Sequence, residues 1–248
     1  MKILGIDLET TGLDTNTCAI TEVGMVLWDT DLRTPVKLIS YLVQVPKEVI
    51  WSEQVLKSSV ITPELCSREG YPEEKAVRQF LAWYEQVDTI CTHNGTRFDL
   101  PVLTSWTKKL GYDLEKKTHI DTLIDLRIPS HQSKKLSYMA LDHGIVNNFA
   151  HRAVFDVMTM LRVLDLHPLE DVLRMARSPM LTIEAIVSYE NRELAKTGGF
   201  YWKSENKKWL KDIKECELEE EQQEAIKLGF TAQPFPLIRP FTPKKESE

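Results

Sequence analysis

The chain has little cysteine, no long apolar run and no excess of positive charge, and each absence narrows what it can be. Its four cysteines, Cys18, Cys66, Cys91 and Cys216, stand far apart, without the paired spacing of zinc sites or small disulfide frameworks. A reducing cytoplasm is the expected home. No stretch approaches the roughly 18 consecutive apolar residues that span a bilayer. The opening MKILGIDLETTGLD also places acids where a signal peptide needs an unbroken apolar core, so no membrane association is expected. The formal net charge is −6, which argues against a broad cationic grip on long duplex DNA, because such affinity comes from neutralising phosphates. An enzyme that holds a few phosphates through metal ions remains open. No internal repeat is present.

What is there is a 248-residue chain, 42% hydrophobic and 27% charged, enough to bury a core in one or two domains. Lys2 to Leu8 alternates apolar positions, breaks at Thr10-Thr11-Gly12, and is followed by a second strand pattern from Ala19 to Trp28, so the two read as a hairpin. Pro35 to Val45 is a third strand. Residues 46–71 are irregular, with short helix signals near Ser52 and at Thr62 to Glu64. Spacings of three and four predict a helix over Pro72 to Gln86, and Asp88 to Thr92 is a short buried strand. Helices follow at Leu100 to Leu110, closed by Gly111, and at Leu136 to His143, closed by Gly144. Between them, His119 to Asp125 is a short strand or helix start. A helix from Ala153 to about Leu166 ends at His167-Pro168. The predicted boundaries are therefore a first domain over 1–166, a linker helix within 167–181, a small α+β module over 182–230 and a Pro-rich tail over 231–248.

Three short segments concentrate the chemistry. Residues two apart on a strand share a face, so Asp7 and Glu9 project side by side at the end of the first strand. Two close carboxylates repel unless they meet a donor, a proton or a cation, and hard oxygen ligands suit Mg²⁺ or Mn²⁺. Taken alone, the pair reads more simply as surface acids at a strand end. Asp99 lies in HNGTRFDLPVL, where the turn His93-Asn94-Gly95 leads into a helix; an acid there can equally serve the helix dipole, and Asn94 the turn. In HRAVFDVMTMLRVL, Asp156 sits beside the apolar run Val157, Met160 and Leu161, five residues after His151. An acid on the margin of an apolar helical face needs a partner.

Taken together, IDLETTGLD, HNGTRFDLPVL and HRAVFDVMTML resemble the three motifs of the DEDDh exonuclease family, which includes the proofreading subunit of bacterial DNA polymerase III, RNase T and oligoribonuclease. The resemblance covers residues 1 to 166. It extends to ITEVG at 20–24, IDT at 120–122 and LSYMALDHGI before the last motif; Glu22 and Asp121 read as structural. It implies an α/β, RNase H-like fold with a central mixed sheet flanked by helices, and 3′-to-5′ hydrolysis of nucleic acid with two divalent ions, Mg²⁺ or Mn²⁺, about 4 Å apart. By the same resemblance, Asp7 would bridge the ions, Glu9 and Asp156 would hold the ion that activates water, and Asp99 would hold the leaving-group ion in part through water. His151 would be the base, since an imidazole can accept a proton near neutral pH. The candidate substrate contacts are Thr10, at the terminal 3′-OH, Leu13, as an apolar wedge, Phe98, lining the base pocket, and Asn94. Turn chemistry and core packing explain these four as well. Single-stranded DNA 3′ ends are the expected substrate, with RNA the alternative and a non-catalytic adaptor on the same scaffold a further one. A polymerase or another replication or repair protein is the class of protein partner expected.

The C-terminal module differs in composition. Residues 192–214 hold seven basic and three acidic side chains interleaved with Phe200, Tyr201, Trp202 and Trp209, a mixture used to bind single strands and equally by a small hairpin that buries its own aromatics. Thr182 to Ser188 is a strand, Glu190 to Thr197 a helix, Phe200 to Ile213 a hairpin turning at Glu205-Asn206, and Glu215 to Leu228 an acidic helix. The tail from Gln233 carries four prolines, reads as extended, and could dock a partner.

Overall fold

Because β1 (Lys2–Thr10) alternates its side chains, it sends Leu4, Ile6 and Leu8 to one apolar cluster and Ile3 to another, and thereby sets the two sides of the first unit. The computed structural model describes residues 1–128 and 133–235 and divides them into two compact units, with the break between Arg177 and Ser178.

In the first unit, β1 is followed by β2 (Ile20–Asp29), β3 (Thr34–Leu42), α1 (Glu53–Ser58), α2 (Pro63–Glu69), α3 (Glu73–Tyr84), β4 (Thr89–Thr92) and α4 (Asp99–Lys109). Then come β5 (Thr118–Asp121), α5 (Thr122–Asp125), α6 (Leu136–Asp142), α7 (Ala153–Leu164) and α8 (Leu169–Arg177). The sheet order is β3-β2-β1-β4-β5, antiparallel across β3, β2 and β1 and parallel from β1 to β4 to β5. It is the mixed sheet the resemblance implies. Leu4, Ile6, Leu8, Val23 and Met25 pack with Phe80 of α3 and with Val102, Leu103 and Trp106 of α4. Ile3, Val26 and Trp28 pack with Val157, Met160 and Leu161 of α7. Burying such side chains contributes roughly 1.5–3 kcal/mol each.

The helix over 169–177, expected as a linker, packs Val172 and Leu173 into the same cluster as α7, which is why the first unit runs on to Arg177. His119 to Asp125, open between strand and helix, is both in succession: β5 ends at Asp121, whose side chain accepts the Leu123 N–H and caps α5. No helix among the described residues is long and apolar enough to cross a membrane.

The second unit contains β6 (Met180–Ile186), α9 (Arg192–Thr197), β7 (Tyr201–Lys203), β8 (Lys208–Lys214), a 3₁₀ turn (Glu215–Glu217), α10 (Leu218–Leu228) and β9 (Thr231–Pro234). Its sheet order is β7-β8-β6-β9, with every pairing antiparallel. Ile183, Ala185, Phe200, Ile213, Ala225 and Phe230 form its core. The tail expected over 231–248 needs correction at its start. Residues 231–234 are β9, paired with β6, because Ala232 can tuck into that core while the backbone completes the sheet edge. Residues 236–248, the rest of the tail, lie outside the described residues.

Two glycines let α7 lie directly on the sheet. A Cβ at Gly24 of β2 would collide with the backbone at Ala153 and Val154, whereas one at Gly5 of β1 would come within 2.6 Å of Val157 Cγ1 and 2.8 Å of Leu161 Cδ1. Side chains can rotate away and backbone cannot. Gly24→Ala is therefore expected to destabilise the protein by about 3 kcal/mol and Gly5→Ala by about 1 kcal/mol, read as shifts in the urea midpoint; equal costs would refute this account of the contact.

Candidate active site

The face of β1 that carries Ile3 and Gly5 continues to Asp7 and Glu9, and the same face of β2 carries Glu22, Gly24, Val26 and Trp28. Asp7 pairs with Gly24 and Glu9 with Glu22 across the two strands, and β1 then shifts register between Glu9 and Thr10. Seated on this face, α7 contributes Asp156. The carboxylates of Asp7, Glu9 and Asp156 can each place an oxygen within 4.8 Å of the others. Neither Asp7 nor Glu9 accepts a hydrogen bond from any described residue, so their lone pairs are uncommitted. Asp156 has donors on both oxygens: Asn147 Nδ2 at 2.8 Å on one and the His151 backbone N–H at 2.8 Å on the other.

Asp99, the first residue of α4, is nearly fully buried, and its Oδ1 accepts the Leu8 N–H at 3.1 Å, between Asp7 and Glu9 along the strand. It therefore lies near enough to Asp7 and Glu9 to raise their proton affinities, outside the group of three whose oxygens come within 4.8 Å, while one of its oxygens is held by the backbone. His151 precedes α7 with a positive φ of 65° and an exposed side chain. Its backbone N–H serves Asp156, which leaves the imidazole facing solvent. Thr10 donates its hydroxyl to the Gly12 carbonyl at 2.7 Å, so that group belongs to the turn. Leu13 is 71% exposed, which removes core packing as its explanation. Asn94 has φ of 63° and gives its N–H to Asp121, as a turn residue would. Phe98 is partly buried against the first apolar cluster.

Two further acids hold this arrangement together, and both read as structural in the sequence. Asp121 accepts N–H groups from Asn94 at 2.7 Å, Thr96 at 3.0 Å and Leu123 at 3.1 Å, which fixes the loop that delivers Asp99. Glu22, fully buried, accepts Arg152 Nε at 3.2 Å on both oxygens, Arg152 Nη2 at 2.9 Å, the Ala153 N–H at 3.1 Å and Ser40 Oγ at 2.5 Å. A fork of this kind is a strong charge-assisted contact, and here it ties the start of α7 to β2. The signals were a charged residue inside the otherwise apolar run ITEVGMVLW and an arginine directly after His151.

The crowding of acids is visible in their proton affinities. Burial pushes Asp7 well above the usual carboxylate range, reinforced by the charges of Asp99, Asp156, Glu9 and Glu22. Glu9 is pushed up to about 7 by burial, then by Asp156, Glu22 and Asp99, against a smaller opposing pull from Arg152. Asp99 also rises to about 7 through burial, in spite of the hydrogen bond from Leu8. Burial raises Asp156 as well, against the His151 N–H. Such a donor-poor oxygen set is the chemistry that accepts a hard divalent cation. Removing the Arg152 fork leaves a buried Glu22 with too few donors, so Arg152→Ala is expected to cost about 2–3 kcal/mol of stability. Chemical denaturation will measure it, and a loss below a few tenths would show that the pair does not brace α7.

The model of an exonuclease family named RNase T matches residues 4–164, and that of a domain of unknown function, DUF8626, matches residues 181–235. No curated protein sequence matches the chain. Among solved structures, an exonuclease I gives a TM-score of 0.62 at 16% identity. E. coli exonuclease I in complex with a dT13 oligonucleotide gives 0.60 at 16% identity, and the zinc-bound E. coli exonuclease I–ssDNA complex gives 0.62 at 16% identity. Each alignment covers 75% of this chain and 48% of the other, so the chain spans about half the length of those proteins. At that identity the likeness speaks for the fold, and the family match speaks for the catalytic class: the chain belongs to the RNase T family of exonucleases, a DEDD-type 3′-to-5′ group.

Proposed function

We propose that the chain removes nucleotides one at a time from the 3′ ends of single-stranded DNA, releasing nucleoside monophosphates, with Asp7, Glu9, Asp156 and Asp99 as ligands of two divalent ions, Mg²⁺ or Mn²⁺. The observation that carries this reading is the pair Asp7 and Glu9: two carboxylates without a protein donor, held within reach of Asp156. When bound, the ions would stabilise the attacking and leaving oxygens of the phosphodiester. Asp7, central on the strand and closest to all the other acids in its electrostatics, is suited to bridge. Asp99 offers the oxygen not fixed by Leu8. His151 supplies the base: its backbone is anchored on Asp156 and its ring is free to reach a water. Leu13, exposed beside the Gly12 turn, supplies an apolar edge for the terminal base, and Thr10 contributes backbone to the 3′-OH because its hydroxyl is spoken for. Asn94 and Phe98 complete the base side. The choice of DNA is supported by the oligonucleotide complexes among the structurally similar proteins.

With Mg²⁺, 5′-labelled DNA oligomers are expected to shorten in single-nucleotide steps, faster than RNA of the same sequence. His151→Gln is expected to lower the rate by about 10²–10⁴ and Asp7→Ala to abolish it. Degradation of RNA alone would transfer the proposal to an exoribonuclease, and unchanged activity in both variants would sink it.

The raised carboxyls make a further test without substrate. In metal-free protein these groups bind protons more tightly folded than unfolded, where carboxyls titrate near roughly 4. Their contribution to stability is therefore fully present below about 4 and is lost as pH rises through about 7, where Glu9 and Asp99 release theirs. A divalent ion competes with those protons. Thermal melts are expected to show the largest stabilisation by Mg²⁺ or Mn²⁺ at pH 8 and little at pH 5, with the difference reduced in Asp7→Asn. An equal shift at both pH values would contradict the assignment.

A further inference from the structure

The second unit separates its charges. The start of α10 carries Glu219, Glu220 and Glu221, while the β7–β8 hairpin carries Lys203, Lys207, Lys208 and Lys211. Two of these lysines are neutralised within the unit, Lys208 by Glu184 at 2.9 Å and Lys211 by Glu221 at 2.5 Å. Lys203 and Lys207 have no partner among the described residues, and Lys207 occupies the turn with φ of 53°. The hairpin tip therefore keeps two lysines without an ion-pair partner among the described residues, with Glu205 between them in sequence, in a chain whose net charge is negative.

Beside them is an aromatic side chain that folding alone does not account for. Trp202 lies on β7, one of the two edge strands of the sheet, and is 49% exposed. Its cross-strand partner is Trp209, with ring centroids 5.6 Å apart and planes tilted by 60°. Trp209 packs against the unit's core. One indole thus anchors the other, and the outer indole is held with open surface at the sheet edge, while Lys203, its neighbour along β7, leaves the strand on the other face. On the face it shares with Lys203, Tyr201 gives its hydroxyl to Asp212 at 3.0 Å, which leaves the tryptophan face as the platform.

We infer that Trp202, backed by Trp209, is a binding site for single-stranded nucleic acid at this open sheet edge, one base stacking on the indole while Lys207 at the turn and Lys203 across the edge meet adjacent phosphates. Unpaired bases expose the π-face such a platform needs, and phosphates complement the two lysines. A duplex keeps its bases stacked inside and offers no face to Trp202. This site does not depend on the reading of the carboxylates.

Binding is to be measured on the full chain in EDTA, so that hydrolysis plays no part, by fluorescence anisotropy of labelled oligothymidylate and oligouridylate. Stacking is expected to quench the tryptophan emission of the wild type, and Trp202→Ala to weaken binding about tenfold. Lys203→Ala with Lys207→Ala, at exposed positions the hairpin does not need for folding, is expected to weaken it and to lower the slope of log K against log salt by about 1.4, for two phosphates on a single strand. A loss with either oligomer supports the site, and the larger loss names the sugar it prefers. If the double lysine variant binds both oligomers as the wild type does, with the same salt slope, the inference is overturned.

Discussion

The seating of α7 on bare backbone at Gly24 is the contact on which the first unit's chemistry depends. A helix with ordinary side chains beneath it rides high on a sheet, at a distance set by those side chains. Here the absence of a Cβ lets the start of α7 descend onto β2, and Gly24 is the residue opposite Asp7 in the strand pairing. The same close approach that buries Val157 and Leu161 brings Asp156, on the first turn of α7, to the acids of β1. Packing and chemistry are consequences of one contact, so a change that lifts the helix weakens both.

That contact gathers like charges. Glu9 and Glu22 are directly opposite in the β1–β2 register, an arrangement that destabilises a sheet unless something intervenes. The structure resolves it asymmetrically. Glu22 receives Arg152, a serine hydroxyl and a backbone amide, and Asp121 receives three backbone amides. Asp7 and Glu9 receive nothing from the described residues and rise in proton affinity instead. The acids thus sort by the donors they are given: those saturated by protein position the loop and the helix, and those left open keep their oxygens for a ligand.

This sorting marks the limit of what was legible in the sequence. The opening hairpin and the helices over 73–84, 99–109 and 153–164 follow from periodicity, because each buries a face whose pattern repeats along the chain, whereas the central mixed sheet comes from the resemblance carried by the three motifs. Asp7 and Glu9 could be placed on one face for the same reason. The α8 boundary and β9 could not, since each depends on burial against distant elements: α8 looks like a linker until Val172 and Leu173 find the α7 cluster, and Thr231–Pro234 looks like the start of a tail until Ala232 finds the second core.

The roles of Glu22 and Asp121 were hidden for a related reason. A charge inside a strand announces that something must satisfy it, but not what. Glu22 finds Arg152 across 130 residues and Asp121 reaches back to amides 25 and 27 residues earlier. Sequence order says nothing of such meetings, whereas it does record residues that act through their immediate neighbours, such as His151, whose amide bonds Asp156 five residues on. The two kinds of acid also differ in what replacing them does. An acid saturated with donors leaves amides and a guanidinium stranded when it is lost, so its removal costs stability first. An open acid leaves nothing unpaired, and its removal relieves repulsion. A residue that can be neutralised with gain to the fold, and is an acid all the same, is one whose presence the fold does not explain.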